Sequence, residues 1–163
     1  MREIKFRAWD YYEKKMYEVG EIDFFWGIIE LQWWHRTEDG MDIRKTKEMD
    51  MDIDKELHEF FGVELMQFTG LYDKHHKPIY EGDILRHPPK NEWEEKNFVA
   101  FEVFYHDNNN ADNHVGFQMN RLHFHGAYAG YYMTEKFLPR YTEEMIVIGS
   151  VFENPELVAK KNE

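Results

Sequence analysis

Apolar and polar side chains alternate from the start of the chain: Ile4, Phe6 and Ala8 stand between Lys5 and Arg7, the spacing of a strand with one buried face. The polar turn Asp10–Lys15 lets Met16–Val19 return as the second strand of a hairpin. Ile22–Trp34 is too aromatic and β-branched for a solvent-facing helix, and predicts either two short strands or one strand bent at Gly27. Asp39-Gly40 is a tight-turn signal, and the charged segment Arg36–Lys47 predicts a solvated loop or an edge hairpin. Met49–Asp54 alternates strictly, which sets Asp50, Asp52 and Asp54 on one face of a strand, roughly 7 Å apart.

The second half continues in the same idiom. Lys55–Phe61 predicts a short helix with Asp54 as N-cap and Gly62 as its stop. Val63–Leu71 resumes strand character, Tyr72–Pro78 is a polar turn, and Ile79–Leu85 runs back with a bulge or tight bend at Gly82. The stretch Leu65–Ile84 thus joins two β-rich halves. His87–Asn97, with Pro88-Pro89, predicts a long surface loop, and Phe98–Tyr105, apolar except at Glu102, a central strand. Short strands are expected at Val115–Met119 and Leu122–His125, a flexible loop at Gly126–Gly130, and a last strand at Met145–Phe152. Asn154-Pro155 then opens a terminal helix, Asn as N-cap and Pro at its first position.

Composition narrows the function classes. With no cysteine, disulfides, thiolate metal sites and thiol nucleophiles are excluded, in keeping with a reducing cytoplasm. Aromatic residues make up 17% of the chain, which suits half-buried sheet faces. Asp and Glu number 32 against 20 Lys and Arg, a formal charge of -12. That field repels phosphate backbones and anionic membrane surfaces, so duplex nucleic acid is disfavoured as a partner. No apolar run reaches the roughly 18 residues of a membrane span, so no membrane association is expected. Aromatic-rich edge strands leave homo-oligomerisation open.

Candidate chemistry is sparse. His123 and His125 stand two apart on a predicted strand, with His106, Asp107, Asp112 and His114 in a nearby loop, a His and carboxylate set suited to zinc or another divalent cation. Such a site would make the protein a metal-dependent enzyme with an open position for water, although the spacing matches no zinc signature. Asp50, Asp52 and Asp54 suggest either oxygen ligands for a hard cation, a charged outer strand face, or a DNA mimic with carboxylates at phosphate-like spacing. Trp93, Tyr128, Tyr131 and Tyr132 are candidates for an aromatic binding platform, and His75 and His76 for a special turn tip. Ser150, the only serine, lacks a nucleophile elbow, and no phosphate-binding glycine loop is present, so no cofactor is implied.

Three stretches carry a family resemblance: Met1–Asp10 (MREIKFRAWD), the centre formed by Leu65–Leu71 (LMQFTGL) with Ile79–Ile84 (IYEGDI), and Val147–Leu157 (VIGSVFENPEL). In this order and spacing they resemble the YopX family of small bacteriophage and prophage proteins. The resemblance implies a mainly β fold, with a small N-terminal β region (1–62) followed by an SH3-like β-barrel and a short C-terminal helix (63–163). It also implies a phage or prophage origin, hence the cytoplasm of a bacterial host, and brings no catalytic residues with it. One departure is Asp73–Pro78, which stands where the family commonly has an Asn-Gly type of turn. Since Pro78 fixes its own φ, a wider hairpin is expected. The resulting expectation is a non-enzymatic accessory protein that binds a host or phage protein through an acidic, aromatic-bearing surface of its barrel half.

Overall fold

The computed structural model describes residues 3–50, 62–107, 115–122, 134–136 and 139–158. These residues form two antiparallel sheets and fall into two compact units, one spanning Ile4–Gln67 and one comprising Glu3 and the residues from Phe68 onward. The fold is mainly β, as the alternating pattern predicts. The expected helix at Lys55–Phe61 lies outside the described residues, as do Asp52, Asp54, Asp112, His114, His123, His125, Tyr128, Tyr131 and Tyr132.

In the first unit, β1 (Phe6–Asp10), β2 (Lys15–Asp23), β3 (Ile28–Arg36) and β4 (Asp42–Asp50) are joined by hairpins, and the first half of β5 (Val63–Tyr72) pairs with β1. Ile22–Trp34 therefore resolves into two strands around a turn, and Arg36–Lys47 into an edge hairpin. The core face collects Ala8, Tyr17, Ile29, Leu31 and Val63, with Val19, Ile22, Trp33, Met49 and Leu65 packed around them. Lys47 shares this face, opposite Leu31, and its ammonium reaches Asp10 at 2.7 Å and Glu13 at 2.5 Å. Strands β1 and β4 are three steps apart, roughly 14 Å in a flat sheet, so this bond requires the sheet to curl over its core face. A lysine aimed inward from an edge strand also discourages further strand pairing.

In the second unit, the last half of β5 forms a hairpin with β6 (Pro78–Tyr80). A five-stranded sheet follows in the order β10-β9-β8-β7-β11, built from β7 (Asp83–Arg86), β8 (Ala100–Asp107), β9 (Val115–Arg121), β10 (Thr134–Lys136) and β11 (Ile146–Ser150). Strand β8 is central, as its apolar run predicts. Ile79, Leu85, Phe101, Val103, Met119 and Met145 form the main core, and Ile84, Ala100 and Leu122 a second cluster. Glu81-Gly82 makes the tight bend, one of the two alternatives expected at Gly82, as a turn between two strands, and the Asp83 carboxylate closes it by accepting the Tyr80 N–H at 2.8 Å.

Three local expectations are corrected. The segment His87–Asn97 is not all loop: it contains helix α1 (Glu92–Lys96), whose N-cap Asn91 accepts the Glu94 N–H. Buried Arg86 ties this helix to β7 through a 2.7 Å bond to Glu95. A second short helix, α2 (Pro139–Thr142), precedes β11 and was not foreseen. Lastly, the described C-terminal segment forms a 3₁₀ turn, Pro155–Leu157, instead of an α-helix. Its Asn154 does not cap that turn: the side chain folds back to accept the Ser150 N–H, where a Cβ at Gly149 would overlap its oxygen. No helix among the described residues is long and apolar enough to cross a membrane.

Candidate functional site

The hairpin β5–β6 of the second unit is closed by a network of hydrogen bonds around Asp73. Tyr72 pairs with Pro78, the Asp73 N–H donates to the Lys77 carbonyl at 2.9 Å, and the His76 N–H donates to the Asp73 carbonyl at 2.9 Å. His76 adopts φ 60°, so Asp73–His76 turns tightly and His76 takes the left-handed position usually given to glycine. Lys74, His75 and His76 thus connect the paired Asp73 and Lys77, one residue more than a two-residue turn has. Asp73 is buried, and its Oδ1 accepts the N–H groups of His75 and Lys77, each at 2.8 Å, while Oδ2 accepts that of Val147 at 3.0 Å. Burial alone would raise this carboxyl, but the three N–H donors outweigh it and hold Asp73 below its ordinary value of 3.8.

Beside the hairpin lies a groove of about 420 Å³, lined by Gly70 to Lys74, His76, Thr142 and Glu143. Its wall includes Tyr72, 40% exposed, whose ring meets buried Phe68 edge-on at 5.3 Å between centroids. Thr142 is buried, and the Lys74 N–H donates to the Met145 carbonyl at 2.8 Å, which fixes the hairpin against the segment entering β11. Lys74, His76 and Glu143 are exposed and place both signs of charge at the rim. The groove thus combines an aromatic wall with a rim that carries both signs of charge.

Of the candidates predicted from sequence, His75 and His76 are exposed on this hairpin, and His76 lines the groove. Trp93 sits on α1, 61% exposed, outside the groove lining. His106 is half-buried on β8, with Phe104 edge-on at 6.4 Å. Among the described residues no three His, Asp or Glu side chains gather as a metal ion would require.

The first unit holds two features that the sequence reading missed. One is the charged cluster on its core face, where Asp10 is buried, Lys47 lies over the Tyr17 ring at 4.3 Å, and the Tyr17 hydroxyl donates to Glu13. Burial would lift the Asp10 carboxyl, yet the Lys47 hydrogen bond and the N–H groups of Glu13 and Tyr12 bring it below its ordinary range. Burial would likewise lower the Lys47 ammonium, and the bonds to Asp10 and Glu13 reverse that. The other is the β2–β3 turn, which displays Phe24, Phe25 and Trp26 at 80%, 84% and 70% exposure. Asp23 Oδ1 accepts the N–H groups of Phe25 at 2.9 Å and Trp26 at 3.0 Å, and Gly27 closes the turn at φ 66°. The Phe25 and Trp26 rings pack edge-to-face at 4.9 Å. Asp23 and Gly27 bracketing the aromatics were the available signal.

Comparison with known proteins places this chain. The family described as YopX protein matches residues 5–159. The chain belongs to the YopX family. Among solved structures it is similar to protein EF1440 from Enterococcus faecalis, with a TM-score of 0.58 and 27% identity over 98% of this chain and 100% of that one. No curated protein matches. The matched YopX region takes in both the aromatic turn and the Asp73 hairpin.

Proposed function

We propose that this YopX-family chain is a non-enzymatic accessory protein of a bacteriophage or prophage, acting in the bacterial cytoplasm by binding a host or phage protein, and that its second unit is an SH3-like barrel. The observation that carries the reading is the groove beside the Asp73 hairpin. Its backbone is locked by three bonds to one buried carboxylate, so the entropy of ordering a binding loop is already met before a partner arrives. Tyr72 supplies an aromatic wall of the kind that small barrels use to recognise extended peptide segments. The return of β11 beside β7, after a short helical turn, supports the barrel reading. The division into an N-terminal β region (1–62) and a barrel (63–163) belongs to the same proposal, with the first half of β5 packing on the N-terminal core.

The test is affinity capture from lysogenic or infected cells, followed by binding of the recovered protein to the purified chain. Replacing Tyr72 by Ser together with Glu143 by Lys should abolish that binding while the thermal midpoint stays within about 2 °C. Undiminished binding by this variant, or substrate turnover by the pure protein, would overturn the reading.

A further inference from the structure

The aromatic turn of the first unit is independent of the groove and calls for its own explanation. Three consecutive large aromatics, each at least 70% exposed, are an unusual expense for a protein surface. They are not a floppy loop: Asp23 fixes two of their N–H groups, Gly27 sets the exit, and the nine-residue strands β2 and β3 hold both ends. The rings are therefore displayed by design of the local chain, in one arrangement.

The adjoining strands indicate what meets them. Glu21 stands opposite Glu30, and Glu30 opposite Glu48, so three carboxylates line one rung of β2, β3 and β4 on a single face. Asp23 joins them on the same face, two residue pairs nearer the turn. Like charges directly opposite one another on a sheet are unfavourable, and a cation laid across the rung relieves them. Among the strand residues of this face the nearest basic side chain is Arg7, opposite Glu18 on the next rung away from the turn, and Arg44, opposite Trp34, lies farther off. Phe and Trp faces also attract ammonium and guanidinium groups.

We propose that Phe24, Phe25 and Trp26 form a docking tip for a protein surface that combines an apolar socket with lysine or arginine side chains, the rings filling the socket and the rung Glu21–Glu30–Glu48 pairing with the cations. An anionic bilayer and a second copy of this chain, with its charge of -12, both carry the wrong sign for that rung.

Fluorescence anisotropy with the intact chain and three labelled peptides of equal length tests this: an amphipathic Leu/Lys helix, a Ser/Lys peptide of the same charge, and a Leu/Glu helix. The Leu/Lys peptide should bind at least about tenfold more tightly than either of the others. Phe25→Ser with Trp26→Ser should lose about tenfold with all charges intact, and Glu21→Gln with Glu30→Gln and Glu48→Gln should flatten the salt dependence. Equal binding of Leu/Lys and Ser/Lys peptides, or no loss in the aromatic variant, overturns the proposal. So does partition of the wild type, but not of the aromatic variant, onto phosphatidylcholine or phosphatidylserine vesicles, or a dimer in sedimentation that the aromatic variant abolishes. Because Tyr72 and Glu143 are untouched, these outcomes are separate from those that decide the groove.

Discussion

The carboxylate of Asp73 holds the backbone N–H of Val147, 74 positions farther along the chain, at 3.0 Å, and with its other oxygen closes its own hairpin. One side chain thereby fixes both the turn and the strand end beside it. Asp73→Asn keeps the shape but turns an amide N–H toward a donor, and should destabilise the fold by about 2 kcal/mol in urea unfolding. The carboxyl's folded value is depressed below 3.8, so its contribution is complete above the unfolded value and fades as pH falls through the folded one. Wild type should therefore lose stability below about pH 4 more steeply than Asp73→Asn. Parallel curves for the two proteins would show that the staple carries no net stability.

The Asp10–Lys47 pair makes a second, separable prediction. Asp10 is buried and also accepts the N–H groups of Tyr12 and Glu13, so removing Lys47 strands a carboxylate that cannot leave. Lys47→Ala should cost about 2 kcal/mol, between an exposed pair and a fully buried one because the lysine side chain remains partly exposed. Lys47→Met keeps the cover over Tyr17 but not the charge, and should cost nearly as much if the pairing matters more than the packing. Chemical denaturation of both variants decides between the two contributions.

Much of the fold was legible because apolar residues recur at strand spacing along the chain. Phe6 and Ala8 announce β1, although Ile4, expected on the same buried face, precedes the strand and is exposed; the apolar run around Val103 announces a central strand, and Asp39-Gly40 marks the β3–β4 turn. Less legible were features set by distant partners. Helix α1 owes its place to Arg86 reaching Glu95, and the Asn154 side chain serves Ser150 across a tight turn instead of opening a helix. At the candidate surfaces, the polar His75-His76 tip stood out in sequence, whereas Phe24–Trp26 hid inside a strand-like run. Hydrophobic pattern alone does not separate a buried ring from a displayed one; the turn chemistry of Asp23 and Gly27 does.

Glu102 is the one polar residue in the apolar run from Phe98 to Tyr105, and it stands half-buried on β8 opposite Ile84. Burial raises its carboxyl above the ordinary 4.5. A folded value above the unfolded one means that the charged form is disfavoured by folding, so stability falls as pH rises from the unfolded value through the folded one. Glu102→Gln removes that loss. Its thermal midpoint should exceed that of wild type by about 2 °C at pH 7 and converge with it near pH 4. A lower midpoint at pH 7 would mean that the charge is held by a favourable partner.

His76 stands at φ 60°, a conformation that disfavours a residue with a Cβ by about 1–2 kcal/mol. Glycine removes that strain, while its freer unfolded chain returns about 0.4–1 kcal/mol of the gain. His76→Gly should therefore stabilise the protein by a few tenths to about 1 kcal/mol in urea unfolding. The side chain also lines the groove, where its imidazole is the part a partner would meet. A variant that is more stable yet weaker in binding the captured partner would show that the strained histidine is kept for recognition; unchanged binding would leave the groove's contacts to Tyr72 and Lys74. Measuring stability and binding on the same preparation separates the two, because relief of strain acts on folding alone while loss of the imidazole acts on the complex.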